Sequence, residues 1–249
     1  MRTRHGIGKK IALAAGVLLL IVCGAIALWL NTAAQPMSEA LVALERSTAV
    51  TVEQEPWLVF RPAEMQPDTG LIYYPGGRVD YRAYAPFARA VAEQGYLVVI
   101  PRMPFNLAVF DPAEAGAVMD AYPDIRRWVV GGHSLGGAMA ANFARSNPDR
   151  VHGLLLVASY PADSDSLADT SLPVLSISGS EDGLADRATL QASRALLPAA
   201  ATLLEIDGGN HAQFGWYGEQ NGDNPARIGR EEQMAQATSA TIEFMQGLP

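Results

Sequence analysis

RRWVVGGHSLGGAMAANFA, residues 126–144, is the stretch around which the rest of the chain can be read. It predicts a short buried strand over 128–131, an abrupt glycine-rich turn, and a helix of small residues, with Ser134 at the corner. Gly132-His133-Ser134-Leu135-Gly136 has the G-x-S-x-G form, in which a serine on a sharp strand-to-helix turn projects its hydroxyl above the end of a sheet. The turn brings backbone so close that positions 132 and 136 have no room for a Cβ. The helix opening at Leu135 also aims unpaired N–H groups at whatever Ser134 attacks.

Outward from the corner, short β-rich runs alternate with helical patterns from Ala49 onward. That alternation predicts an α/β fold, with a mostly parallel sheet covered by helices on both faces. Ala49 to Glu53 and Trp57 to Arg61 read as an antiparallel hairpin at one edge. The buried runs 70–74, 96–100, 151–158, 173–178 and 202–206 read as the other strands. Helices are expected over 81–94, 112–121 (with Asp111 as N-cap), 136–145, 186–197 (with Asp186 as N-cap) and 229–246. The loop 161–172 is too short to build a helical lid, so an open site is expected.

A serine hydroxyl needs an adjacent base, and a histidine base needs a carboxylate to fix its tautomer. Of four histidines, His5 lies in the basic N-terminus, His133 sits inside the turn, and His152 begins a strand at the far end of the sheet. His211, directly after the last strand, remains as the base. With a serine on such a turn the chain order is serine, acid, histidine, each after the C-terminal end of a strand. The acid then falls in Gly179-Ser180-Glu181-Asp182-Gly183: Asp182 is the first choice and Glu181 the alternative. A second oxyanion donor, beside the N–H of Leu135, is expected from Pro75-Gly76-Gly77-Arg78 after an early central strand, with Gly77 first and Arg78 next. Arg78, Phe105, Phe214, Trp216 and Tyr217 are candidates for the substrate pocket, the Arg78 side chain as a partner for a substrate carboxylate. Phe105, with Leu107 and Phe110, and the aromatics after His211 are equally explained as core. Asp223 and Asn224 are polar recognition groups or only a turn.

At 249 residues and 49% apolar content the chain suits one ordinary domain rather than a disordered one. The net charge of −8 argues against nucleic acid as a partner, the more so because Arg2, Arg4, Lys9 and Lys10 supply four of the 18 basic residues. Cys23 is the only cysteine, which leaves no disulfide, redox pair or thiolate metal site. No metal or organic cofactor is implied.

Residues 11–30 form an uninterrupted apolar run, and 20 residues at ~1.5 Å rise give ~30 Å, enough to span a bilayer. The basic cluster before it predicts a signal-anchor with residues 1–10 cytoplasmic and the folded part outside; cleavage near Ala34 and secretion is the alternative. The expected organisation is thus a basic tail (1–10), a transmembrane anchor (11–30), a polar linker (31–48) with one amphipathic turn around Leu41 to Leu44, and a catalytic domain (49–249).

Tyr74-Pro75-Gly76-Gly77-Arg78-Val79-Asp80, the Gly132-to-Gly137 turn, and Gly208-Gly209-Asn210-His211-Ala212-Gln213-Phe214-Gly215 together resemble the α/β-hydrolase superfamily. Within it the chain from about Ala49 to its end is similar to the compact, dienelactone-hydrolase-like type, in a membrane-anchored bacterial branch. The resemblance implies a serine hydrolase with Ser134, Asp182 and His211 as its triad and a small acyl compound as substrate. It departs from dienelactone hydrolases themselves, whose nucleophile is cysteine, and lacks the aspartate nucleophile of haloalkane dehalogenases. Ester cleavage is the first expectation. Amide or peptide hydrolysis and acyl transfer use the same triad, and a non-catalytic, anchored ligand-binding protein is the rival of another class.

Overall fold

The computed structural model describes residues 13–24, 32–45 and 47–249. They fall into two units, 1–33 and 34–249. In the first, residues 13–24 form a helix (α1) whose apolar side chains are exposed. No helix among the described residues is long and apolar enough to cross a membrane. The span expected over 11–30 is therefore not found there; its remainder, like the basic residues 1–10, lies outside the described residues.

The second unit is one eight-stranded sheet: β1 (Val50–Glu53), β2 (Leu58–Pro62), β3 (Thr69–Tyr74), β4 (Leu97–Ile100), β5 (Arg127–His133), β6 (Gly153–Val157), β7 (Val174–Gly179) and β8 (Thr202–Ile206). Their order is β1-β2-β4-β3-β5-β6-β7-β8. The first two pair antiparallel at one edge, as the hairpin reading expects, and from β4 onward every neighbour is parallel. Alternating side chains split the core in two. Leu71 and Tyr73 join the layer with Val98 and Ile100, and Ile72 and Tyr74 the opposite one with Leu97 and Val99, as expected of strands buried on both faces.

Seven helices are described: α1, α2 (Ser38–Val42), α3 (Ala85–Ala92), α4 (Glu114–Ala121), α5 (Leu135–Ser146), α6 (Arg187–Ser193) and α7 (Arg230–Gln246). The first face of the sheet is covered by α3 and α7, whose buried residues include Phe87, Val91, Met234 and Ala237. The other is covered by α4 and α5, through Val118, Met119, Ala140 and Phe143. The Gly- and Ala-rich sequence of α5 lets it lie close under the corner at Ser134.

Three expectations change. The helix read over 81–94 begins as a 3-10 turn, Tyr81–Tyr84, before α3. Pro86 has no N–H to continue the α-helical ladder backwards, while the Asp80 side chain caps the turn by accepting from Arg82 N. Asp111 does not cap α4 with its side chain. The helix starts at Glu114, and the Tyr74 hydroxyl, arriving from the sheet, accepts from Ala115 N at 2.8 Å and donates to the Pro112 carbonyl at 2.9 Å. Residues 34–45, read as linker, pack into the domain. Ala34 N donates to Arg78 O and Met37 N to Trp216 O, and Ala40 is fully buried on the short α2. Asp186, by contrast, caps α6 as read, accepting from Thr189 N, and those hydrogen bonds lower its pKa.

Candidate active site

The last paired residue of β5, His133, sits opposite Val157, and the chain then turns so sharply that Ser134 takes φ 53°, ψ −125°. A non-glycine residue there is strained. Two hydrogen bonds hold the corner: Ser134 N donates to Val157 O at 2.9 Å, and Ser159 Oγ donates to Ser134 O at 2.7 Å. A Cβ on Gly136 would lie 2.3 Å from the Tyr74 carbonyl oxygen and 2.4 Å from that of Pro75. The glycine is therefore a steric necessity, as the sequence motif implies. Ser134 Oγ itself makes no hydrogen bond among the described residues.

After β7, three acids compete for one role, and each has its own surroundings. Glu181 is paired with Arg227 at 2.8 Å and Asp186 caps α6. Asp182 turns inward. Its Oδ1 accepts from Leu184 N at 2.8 Å and Ala185 N at 2.7 Å, and its Oδ2 lies 2.9 Å from His211 Nδ1. The two side chains are 1% and 2% exposed, so the pair sits out of water, where electrostatic contacts are strong. A carboxylate accepts only, so the shared proton rests on Nδ1 and leaves the lone pair of His211 on Nε2. That atom is buried and without a hydrogen-bond partner.

His211 and Ser134 are not hydrogen-bonded. What joins the two loops is His133, whose ring lies against that of His211 with centroids 4.5 Å apart. An unliganded site commonly leaves the nucleophile–base hydrogen bond open until substrate binds. His152 is elsewhere, with Nδ1 against Trp128 N at the start of β5.

The oxyanion loop resolves the choice between its two candidate donors by elimination. Gly76 N donates to Tyr84 Oη at 3.0 Å, Arg78 N to Asn106 O at 2.7 Å and Val79 N to Gly76 O at 3.2 Å. In this loop Gly77 N has no partner among the described residues, whereas the Arg78 N–H is taken up by Asn106 O. Leu135, first residue of α5, likewise has no N–H partner among the described residues. The Asp80 carboxylate holds Arg82 at 2.7 Å.

The expected pocket residues separate. Phe214, Trp216 and Tyr217 are buried in the core layer on the α3/α7 face, with Trp216 also edging a surface cleft beside Pro86 and Met234. Phe105 stays exposed at 46%, edge-on to Phe110 at 5.6 Å. Its turn is bound to the oxyanion loop through Asn106, and Leu107 packs beside Gly77. Between β6 and β7 only a 3-10 turn, Asp163–Asp165, interrupts the loop, so no lid stands over this side of the site.

Asp223, read from the sequence as a recognition group or a turn, is a brace between two loops. Its Oδ1 accepts from Gly183 N at 3.0 Å and Asn224 N at 2.9 Å, and its Oδ2 from Ala212 N at 2.8 Å. One carboxylate thus ties the residue after Asp182 to the residue after His211. A second brace is Gln233 on α7, which accepts from Asn210 N and donates to Asn210 O. Neither has a local signature, because each reaches backbone far away in the chain. Among the described residues no cluster of side chains has the makings of a metal site.

Comparison with known proteins agrees with this architecture. The alpha/beta hydrolase family model matches residues 70–235, two thirds of the chain, and the matched span contains Ser134, Asp182 and His211. No curated protein matches the sequence.

Proposed function

We propose that this chain, which belongs to the alpha/beta hydrolase family, cleaves a carboxylic ester through an acyl-enzyme on Ser134. The observation that carries the reading is the buried His211–Asp182 pair, 2.9 Å apart, with an unpartnered Nε2 and a ring resting on His133, the residue before Ser134. In this reading His211 Nε2 takes the proton of Ser134 Oγ as the oxygen attacks the acyl carbon. The carbonyl electrons move onto oxygen, which the N–H groups of Leu135 and Gly77 receive. Collapse of the tetrahedral species expels the alcohol with the proton from His211. Water, deprotonated by the same nitrogen, then releases the acid and restores Ser134. Asp182 keeps Nδ1 protonated and stabilises the imidazolium throughout.

The short connection between β6 and β7 supports the compact, lidless type, and the exposed Phe105–Phe110 pair supports a substrate with an apolar group. An anchor over 11–30 with the domain outside the cytoplasm rests on the N-terminal sequence, and fractionation of cells expressing the full chain tests it. For the reaction, the test is a panel of p-nitrophenyl esters, thioesters and anilides of graded acyl length. Turnover of esters well above anilides, abolished by Ser134→Ala in protein that still folds, is expected. Anilide turnover equal to ester turnover would replace the ester reading by an amidase, and full activity of Ser134→Ala would remove the mechanism.

A further inference from the structure

We propose that Tyr84 and His133 act together as positioning residues: they hold the oxyanion loop against the nucleophile turn, so that the Gly77 N–H faces the reacting oxygen. The proposal rests on the serine-hydrolase reading above.

A chain of contacts runs from the loop to a buried histidine that takes no proton in the proposed reaction. Gly76 N donates to Tyr84 Oη at 3.0 Å, and Tyr84 Oη lies 2.9 Å from His133 Nδ1. Tyr84 and His133 are 0% and 1% exposed. The phenol oxygen receives the Gly76 N–H, and with the imidazole proton on Nε2 its own hydrogen goes to His133 Nδ1. In that tautomer the chain of donors runs from Gly76 to Tyr84 and from Tyr84 to His133. Burial keeps both groups in the neutral forms this needs. It raises the pKa of Tyr84, and burial followed by the neighbouring His211 holds that of His133 well below 6.5.

The consequence for the loop follows from its sequence. Pro75 has no N–H, Gly76 spends its own on Tyr84, and Arg78 spends its on Asn106. The Gly77 N–H between two tethered neighbours is left as the donor without a partner among the described residues, with its direction set by them. The fit is close: a Cβ on Gly76 would lie 2.8 Å from both Tyr84 Oη and His133 Nδ1. His133 is also the residue before Ser134, and its ring rests on His211 at 4.5 Å. One imidazole thus touches the oxyanion loop through Tyr84, the nucleophile through the backbone and the base through its ring face.

The test uses the full-length chain and p-nitrophenyl acetate, with Tyr84→Phe, His133→Ala and His133→Asn. Loss of an oxyanion donor costs about 10²–10³ in kcat, and a donor merely loosened costs less. We expect Tyr84→Phe to lower kcat by about 10- to 100-fold with KM changed less than about twofold. The side-chain amide of His133→Asn falls near the position of Nδ1 and offers Tyr84 an acceptor, so this variant should recover most of the kcat lost in His133→Ala. A role in packing alone would lower stability without the kcat-against-KM split and without rescue by asparagine. Tyr84→Phe with kcat within twofold of the parent overturns the proposal. If Tyr84→Phe does not fold, His133→Asn no more active than His133→Ala overturns it equally. A parent chain with no turnover and no reaction with a fluorophosphonate refutes the serine-hydrolase reading instead, and the proposal goes with it.

Discussion

The two halves of the site are built on opposite principles. On the side of β7 and β8, the carboxylates are satisfied: Asp182 accepts two backbone N–H groups and faces His211, and Asp223 stitches the two loops together. On the side of β3 and β5, the groups that would meet a substrate in the proposed mechanism have no partner among the described residues. These are Ser134 Oγ and the N–H groups of Gly77 and Leu135, while the atoms around them are strained or tethered. The difference teaches where the fold places order. In the proposed mechanism the base is pre-assembled, because its proton inventory must be right before substrate arrives; the proposed nucleophile and donors are kept open and held by their neighbours, because substrate completes them.

Breaking the assembled half should have the largest effect. Asp182→Asn keeps an oxygen for Leu184 and Ala185 but turns an amide toward His211 Nδ1. That imposes the wrong tautomer, and kcat should fall about 10⁴-fold, with thermal unfolding showing a folded protein. Asp223→Ala is milder. It leaves the N–H groups of Gly183, Ala212 and Asn224 without their acceptor, which should cost about 1–3 kcal/mol in a denaturant titration. It should also lower kcat about tenfold as the acid and base loops loosen. A variant with unchanged kcat would mean that the His211–Asp182 contact needs no such brace.

The smallest effect concerns the hinge between the halves. Burial holds the pKa of His133 well below its unfolded value of 6.5. Between those values the unfolded chain binds a proton that the folded chain does not, so stability rises with pH there. Its contribution is complete above about pH 6.5 and is lost as pH falls, by up to about 1.4 kcal/mol per unit. The groups facing the ring are His211, Tyr84, Tyr217 and Phe214, of which the last cannot titrate. Urea midpoints from pH 7.5 to 5.5 should therefore slope less steeply for His133→Asn than for the parent, and equal slopes would exclude this source of acid sensitivity.

Much of the fold is legible in the sequence because the strands are buried on both faces and read as unbroken apolar runs between turn residues. GLIYY at 70–74 and LVVI at 97–100 are of this kind. The chain positions of Ser134, Asp182 and His211 are legible for a related reason: each follows a strand, so topology alone brings them to one end of the sheet. What is not legible is long-range and made of side chains on backbone. The α4 cap comes from Tyr74, 41 residues before Ala115, where sequence rules look only to the residue ahead of the helix. Tyr84 reads as an apolar position on an amphipathic helix, and its hydroxyl finds His133 49 residues away. The aromatics after His211 illustrate a different gap. Composition marks Phe214, Trp216 and Tyr217 as large and near the base, but only coordinates separate a wall facing solvent from the cover of the core.

The most direct measurement of the central claim is the site and rate of covalent reaction with a fluorophosphonate, read by mass spectrometry of peptides from the full-length chain. The account predicts a single adduct on Ser134, absent from Ser134→Ala and slowed at least about 10³-fold in Asp182→Asn. Folded parent protein that stays unlabelled, or that carries the adduct on another residue, would contradict it.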